Sequence, residues 1–556
     1  MTNLRGNIRN WQNSKDGNAD DSSVTYPKGM SQSPRRGHVF KGTSVEGSFK
    51  FHSVGTAAVR QALGKLKAKP ACGIDGVPIL IYKLAWGPLA LPLVHLINLV
   101  INTGVWPDLW KESIVTPVLK AGKPAGDVSS YRPVALLPAI SKLTERVMLD
   151  QLITHIESNN LLPNEQHGFR PMRGVDTAVA RLLAKVAQAL DKGHKIAISA
   201  YDYSAAFDTI ESEVLRSKLT WASEPAKCLL MSYMGNRKQR VRWNSATSEV
   251  IDVAFGVPQG SVLGPLLFIL VTGDLPKSVT DCVSPGAYAA VSQYADDTSA
   301  LSASKTWEET EATLRAMTTG LEKYSYENSL HLNLSKTQQL KICHPDTSSS
   351  DTLNILGIVL DRTAGFETHH NKVLADLRRR IGAVRRLRTR ISRGSLLTEI
   401  AKSLVIGRVQ CSAWVTRTAR LSPQPSGPLH PTRGPTQIVL NDLGRLLLGI
   451  KRADRYKIED ISDKAGVPTL NEIVVRQSAM ASWKATNGGA LEDLLQTYDD
   501  RTRGSADNLR KPISQRCNAS SNMCKAWNAS RSLREAKTIV DARRTARVLA
   551  KTVRHL

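Results

Sequence analysis

Apolar positions between Phe51 and about Lys195 recur at helical spacing and alternate with short turn-marked segments, among them Gly73-Ile74-Asp75-Gly76 and Tyr131-Arg132-Pro133. The longest apolar stretch, Leu89 to Val105, is interrupted by Pro92, His95, Asn98 and Asn102, and reads as a buried helix rather than a membrane span. At Lys195 the period changes. Ile196, Ile198 and Ala200 alternate with Ala197, Ser199 and Tyr201, which predicts a strand ending at Asp202, followed by a turn and a helix. Gly256 to Phe268 reads as a strand-to-helix turn. Tyr294-Ala295-Asp296-Asp297, between short apolar runs, suits the tip of a β-hairpin. A polar spacer, His344 to Asp351, precedes Leu356-Gly357-Ile358.

Further on, Val373, Leu377, Ile381, Val384, Leu387 and Ile391 recur at three- and four-residue spacing, the apolar stripe of an amphipathic helix. Residues 418–436 are rich in Pro and Gly and read as a linker to a further helical region. Residues 1–50, polar and without periodicity, are expected to be a disordered leader with no signal peptide.

Charge sharpens this picture. Lys and Arg number 75 against 49 Asp and Glu, a net +26 over 556 residues, which favours a polyanionic partner and above all nucleic acid. A membrane-surface protein would need apolar anchors as well, and none is evident. The stripe helix carries eight arginines between Asp376 and Arg393 and no lysine, a choice that suits the fork geometry of phosphate contacts. The tail from Arg501 has fourteen basic and three acidic residues. Seven cysteines in so long a chain make no disulfide framework and point to a reducing compartment. Cys517 and Cys524 lack the paired histidine of a zinc knuckle.

Nucleotidyl transfer needs two divalent cations about 4 Å apart, and Mg²⁺ takes few, hard oxygen ligands because it keeps water and phosphate oxygens. Two or three carboxylates on converging strands would meet that need, and Asp202, Asp296 and Asp297 are the candidates. Each piece alone is weak, since a lone Asp-Asp is usually a surface turn. Their order along one chain is specific.

From about Phe51 to Trp483 the chain resembles the reverse transcriptases of non-LTR (LINE-type) retrotransposons. The resemblance rests on Gly73 to Pro78, Tyr131-Arg132-Pro133-Val134, Gln166-His167-Gly168-Phe169-Arg170, and Tyr201-Asp202 through Phe207-Asp208. It continues through Gly256 to Phe268, Tyr294 to Asp297, Asn333 to Thr337 and Leu356-Gly357-Ile358. It implies an α+β right-hand polymerase with fingers (51–195), palm (196–360), thumb (361–417) and, after the linker, a helical basic C-terminal region (437–556).

The same resemblance assigns Asp202, Asp296 and Asp297 as the catalytic triad, binding two Mg²⁺ (or Mn²⁺) with the backbone carbonyl of Tyr203. Phe207 matches a steric gate against the ribose 2′ hydroxyl. Gln259 and Gly260 match positions against the incoming nucleotide, Arg132 a fingers residue reaching the triphosphate, and Lys336 a proton donor to pyrophosphate. Leu356 and Gly357 match the primer grip. Arg378, Arg379, Arg385, Arg386 and Arg388 are the expected nucleic-acid contacts. Arg132 and Lys336 could instead pair with nearby acids.

The expected partners are template RNA, primer or target DNA and deoxynucleoside triphosphates, with no membrane, in the nucleus and in cytoplasmic ribonucleoprotein. No endonuclease motif is legible, so a partner endonuclease or RNA-binding protein of the same element is also expected. One departure from the family stands out: Gly273-Asp274-Leu275-Pro276 replaces the usual Asn-Asp-Leu-Pro. Viral RNA-dependent RNA polymerases usually show Gly-Asp-Asp and a polar residue at position 207. Group II intron maturases look less similar around Gln259-Gly260-Ser261 and beyond the thumb. A non-catalytic RNA-binding derivative would be expected to have lost an aspartate, and all three remain.

Overall fold

The computed structural model describes residues 47–342, 352–364, 366–391, 395–410 and 434–487, with 536, 541–543 and 545–546. Most of the expected leader, the spacer from His344, residues 418–433 of the expected linker, both candidate knuckle cysteines and nearly all of the basic tail lie outside the described residues. The strands are β1 (Glu112–Leu119), β2 (Tyr131–Leu136), β3 (Lys195–Tyr203), β4 (Arg237–Trp243), β5 (Ala246–Thr247) and β6 (Ile251–Val253). They continue as β7 (Tyr288–Tyr294), β8 (Asp297–Ser304), β9 (Leu332–Ile342), β10 (Thr352–Ile355) and β11 (Ile358–Asp361).

Two compact units share the chain, and neither is contiguous. The first comprises residues up to Phe169, Tyr203–Asp281 and Thr319–Asn333; the second comprises Arg170–Asp202, Cys282–Thr318 and Leu334 onward. The expected fingers–palm boundary at 195 therefore does not coincide with a packing boundary. The physical reason is the amphipathic helix Val175–Asp191, whose Val179, Leu182, Leu183 and Val186 bury against Ile196 and Ile198 of β3 and Leu301 of β8.

In the first unit, helices Thr56–Lys65, Trp86–Thr103 and Ala139–Ser158 bury Val59, Leu63, Leu93, Ile97, Leu143 and Val147 in one core. Beside it, β1 pairs antiparallel with β2 and parallel with β4, and β4 also pairs with β5 and β6. The fold begins before the expected leader ends. Phe49 bridges to Ala222 and is buried among Phe51, His155 and Trp221, and that ring burial offsets the entropy of ordering its segment.

The stretch expected to be a buried helix is only half-buried. Trp86–Thr103 buries Leu93, Ile97, Val100 and Ile101, whereas Leu91, Leu96 and Leu99 are exposed. By length and composition alone it could cross a membrane. Its buried face belongs to the core just described.

In the second unit the sheet order is β7-β8-β3-β9. The helix Val175–Asp191 and the β10–β11 hairpin share one core with it, through Leu353, Ile355, Ile358 and Leu360. The arginine-rich helix runs Glu367–Arg388 and buries Val373, Leu377, Ile381 and Val384, with Leu387 and Ile391 packed at the edge of the same cluster, as the spacing predicts. Helix Pro435–Leu448 starts two residues before the expected linker ends. Gly434 is its N-cap and Pro435 its first residue, a position where the missing proline N–H costs nothing.

Candidate active site

The chemistry-bearing residues divide between the units, and the boundary runs through the Asp202–Tyr203 bond. In the second unit β3 is central and buried on both faces, which holds its C-terminal end rigidly. Its register with β8, Lys195 opposite Ser304 through Tyr201 opposite Thr298, brings Asp202 to the end of β8 that starts at Asp297. β7 and β8 form a hairpin with Tyr294 opposite Asp297, so Ala295 and Asp296 are its two-residue turn. Ala295 sits at φ 58°, a conformation that costs a non-glycine residue about 1 kcal/mol and is tolerated where surrounding structure enforces it.

The Asp297 carboxyl feels the other two carboxylates. Partial removal from water, then the charges of Asp296 and Asp202, push the Asp297 carboxyl up to about 6. A carboxyl raised by neighbouring carboxylates in this way favours a cation beside it. Among the described residues no three His, Cys, Asp or Glu side chains enclose a metal by themselves. That donor set fits Mg²⁺, which takes one or two carboxylates and completes its shell with phosphate oxygens and water.

Lys336, on β9, donates to Asp202 at 3.1 Å, so its ammonium stands at the carboxylate cluster and pairs with one member of it. Behind the hairpin, Lys484 of helix Leu470–Asn487 donates to Asp176 at 2.9 Å. Burial, and the charges of Asp176 and Asp297, raise the Tyr294 hydroxyl. A residue of the expected C-terminal region is thus built into the support of the aspartate tip. Nothing in the spacing of Asp176 and Lys484 announces this.

The primer-grip candidates form the turn between β10 and β11, with Ile355 opposite Ile358. Leu356 at φ 52° and Gly357 at φ 83° give the doubly left-handed turn that matches strand twist in two-residue hairpins. Glycine suits its position; leucine carries the strain.

The first unit holds the other candidates. Phe207 lies in the short helical turn Ala206–Asp208, its ring 4.8 Å from that of buried Phe268 and 6.2 Å from that of exposed Phe169. The Val257 N–H donates to the Phe207 carbonyl at 2.8 Å, tying the Gly256–Gly260 turn to the Phe207 segment. Gln259 donates through its amide to Asp208 at 3.1 Å, and its own carbonyl accepts from the Ala135 N–H of β2 at 2.7 Å. Gly260 at φ 126° lies so close to β2 that a Cβ would meet the Ala135 carbonyl oxygen at 2.6 Å. Arg132, also on β2, is exposed, and among the described residues no acid pairs with it. Asp208 carries no expected role in the sequence: it follows the gate candidate Phe207, but only the fold turns it toward Gln259.

Of the five expected nucleic-acid contacts, Arg378, Arg385 and Arg386 are exposed, Arg388 is half-buried, and Arg379 shares Asp376 with Arg380.

Residues 118–360 match the family model described as reverse transcriptase (RNA-dependent DNA polymerase). The RNA-directed DNA polymerase from mobile element jockey of Drosophila funebris is 29% identical over 336 residues, covering 58% of this chain and 37% of that protein. The probable RNA-directed DNA polymerase from transposon BS of Drosophila melanogaster is 29% identical over 388 residues, 67% of this chain and 42% of that protein. A solved telomerase from Candida tropicalis, truncated from its C-terminal domain, overlaps at TM-score 0.35 and 10% identity, over 48% of this chain and 57% of that one. The chain spans about two-fifths of the length of these two curated relatives. The chain carries a match to the reverse transcriptase domain over residues 118–360 and is similar, over about two-fifths of their length, to RNA-directed DNA polymerases of mobile elements.

Proposed function

We propose that this chain copies RNA into complementary DNA from a DNA 3′ hydroxyl by two-metal-ion nucleotidyl transfer. The observation that carries the reading is the convergence of Asp202 and Asp296 on Asp297 at the paired ends of β3 and β8, close enough for both charges to raise the Asp297 carboxyl. In this reading the β7-β8-β3-β9 sheet is the palm, the β2-β1-β4 sheet and its helices the fingers, and helix Glu367–Arg388 with its partners the thumb.

The primer 3′ oxygen attacks the α-phosphorus of a deoxynucleoside triphosphate. The bond from that phosphorus to the bridging oxygen breaks, and pyrophosphate leaves. Asp202 and Asp296, with the Tyr203 carbonyl, would hold two Mg²⁺, which supply charge neutralisation and a more acidic 3′ hydroxyl. Lys336, kept at the cluster by Asp202, is placed to give a proton to the leaving pyrophosphate. Arg132 is the exposed cation of the fingers available to the triphosphate. Phe207, backed by Phe268, excludes a 2′ hydroxyl, and Gln259, oriented by Asp208, lies along the nucleotide.

The test is primer extension on an RNA template with Mg²⁺. Asp202→Asn and Asp296→Asn each remove a charged oxygen that no neighbour replaces, and each should lower synthesis by at least about a hundredfold, in line with the loss of a principal electrostatic contact in catalysis. RNA binding should stay intact. Extension by either variant at the unsubstituted rate refutes the assignment.

A further inference from the structure

Glu145 is a carboxylate with no contact to solvent, on helix Ala139–Ser158, in a chain whose charged residues are otherwise mostly at the surface. A buried carboxylate is costly unless its oxygens are satisfied. Here the Val262 N–H donates to it at 2.6 Å, the Leu263 N–H at 3.1 Å, the Ser141 hydroxyl at 3.1 Å and the Tyr233 hydroxyl at 3.4 Å. Burial pushes the Glu145 carboxyl up, and the two backbone N–H groups, with Arg237 buried over the Tyr233 ring, offset part of that rise.

Both backbone donors belong to the turn that carries Gln259 and Gly260. Helix Gly264–Val271 follows directly, and its N-cap is Leu263, which has no side chain able to accept from the helix start. Most helices solve this locally, with Ser, Thr, Asp or Asn at the N-cap. Ser261 does part of this, accepting from the Gly264 N–H at 3.1 Å. The two preceding N–H groups are instead met by a carboxylate more than a hundred residues earlier in the chain, at the electropositive end of the helix. On its other side the turn is clamped to β2 through Ala135 and to the gate segment through Phe207. Glu145 is the side chain that fixes the turn from the core side.

We propose that Glu145 is a positioning residue for nucleotide selection: its carboxylate holds the Pro258–Leu263 turn so that Gln259 and Gly260 present their nucleotide-facing groups at the right height. The proposal rests on the assignment of Gln259 and Gly260 to nucleotide binding. Glu145 touches no reacting atom and acts only through that turn.

The experiment is single-nucleotide insertion on an RNA-templated primer by Glu145→Ala, Glu145→Gln and Glu145→Asp, with active-site titration so that rates refer to folded protein. Glu145→Ala should raise KM for the incoming deoxynucleotide at least tenfold with kcat changed less than threefold. Glu145→Gln retains an acceptor oxygen for the two amides and should stay within threefold of the unsubstituted KM. Added to Gln259→Ala, Glu145→Ala should raise KM by clearly less than it does alone, because one of the two groups it positions is gone. An unchanged KM with only a smaller folded fraction, or a full multiplicative effect on Gln259→Ala, overturns the proposal.

If Glu145→Ala does not fold, Glu145→Asp decides. It keeps the charge but draws the oxygens back by about 1.5 Å, one carbon–carbon bond, and should raise KM and speed amide hydrogen exchange at Val262 and Leu263 at least tenfold. Unchanged exchange there refutes the contact itself. Protein that extends no primer at all refutes the polymerase reading, and the exchange measurement still judges Glu145.

Discussion

Replacing Arg378, Arg385 and Arg386 together by alanine should flatten the salt dependence of RNA binding by about 2 in log–log slope. The choice of residues comes from the structure, because the arginines of helix Glu367–Arg388 are not equivalent. Arg380 donates to Asp376 and to the Leu404 carbonyl, each at 2.9 Å, and so ties the helix to its neighbour. Arg379 and Arg408 share the same Asp376, both at 3.3 Å. Arg378, Arg385 and Arg386 are exposed, and among the described residues no acid neutralises them. A phosphate contact on a single strand contributes a slope of about −0.7, so three lost contacts amount to about 2. Raising salt from about 50 to 200 mM should therefore weaken RNA binding by the unsubstituted protein roughly fifteenfold more than it weakens binding by the triple alanine protein. Fluorescence anisotropy of a labelled single-stranded RNA over a KCl series measures it. Arg380→Ala is the control: it should lower the melting temperature and leave the slope nearly unchanged. A triple substitution that leaves the slope within about 0.5 of the unsubstituted value would show the three guanidinium groups to be only a solvated face.

Two further outcomes are expected. Phe207→Ala opens the space beside Phe268 and should raise ribonucleotide relative to deoxyribonucleotide incorporation; an unchanged ratio in insertion kinetics would mean the ring only packs the core. Lys218→Met should destabilise the protein by about 3–5 kcal/mol in denaturant melts, the usual cost of stranding one partner of a buried ion pair. Its ammonium meets Asp274 at 2.6 Å with both side chains buried, and the Tyr324 hydroxyl donates to the other carboxylate oxygen at 2.5 Å. Combining Lys218→Met with Asp274→Leu should recover most of that loss. A single substitution costing under about 1 kcal/mol would show that water reaches the pair. Asp274 is the acid of the departure at Gly273-Asp274-Leu275-Pro276, and its partners are Lys218 and Tyr324, so no amide at position 273 is needed to hold it.

Local pattern alone determined much of this protein. Alternation located β3 and Asp202 near its end, turn chemistry located the Asp296 hairpin, and three- and four-residue spacing located the arginine helix, because each signal lies within one turn or strand of its own residues. The order of motifs then supplied the resemblance to reverse transcriptases. Tertiary structure decided everything that depends on which distant segments pack together. Pairing of β3 with β8 couples Asp202 to Asp296 and Asp297 across more than ninety residues. Packing of Val175–Asp191 on the β7-β8-β3-β9 sheet joins a segment expected in the fingers to the core of the sheet expected in the palm. The exposed face of Trp86–Thr103 looks, in sequence, like any other buried helix, since apolar composition does not say how many sides are covered. Glu145 is the clearest case. Within Ser141-Lys142-Leu143-Thr144-Glu145-Arg146 it reads as one more charge on a helix surface, and only the fold removes it from water and supplies the N–H groups that offset the cost of its burial.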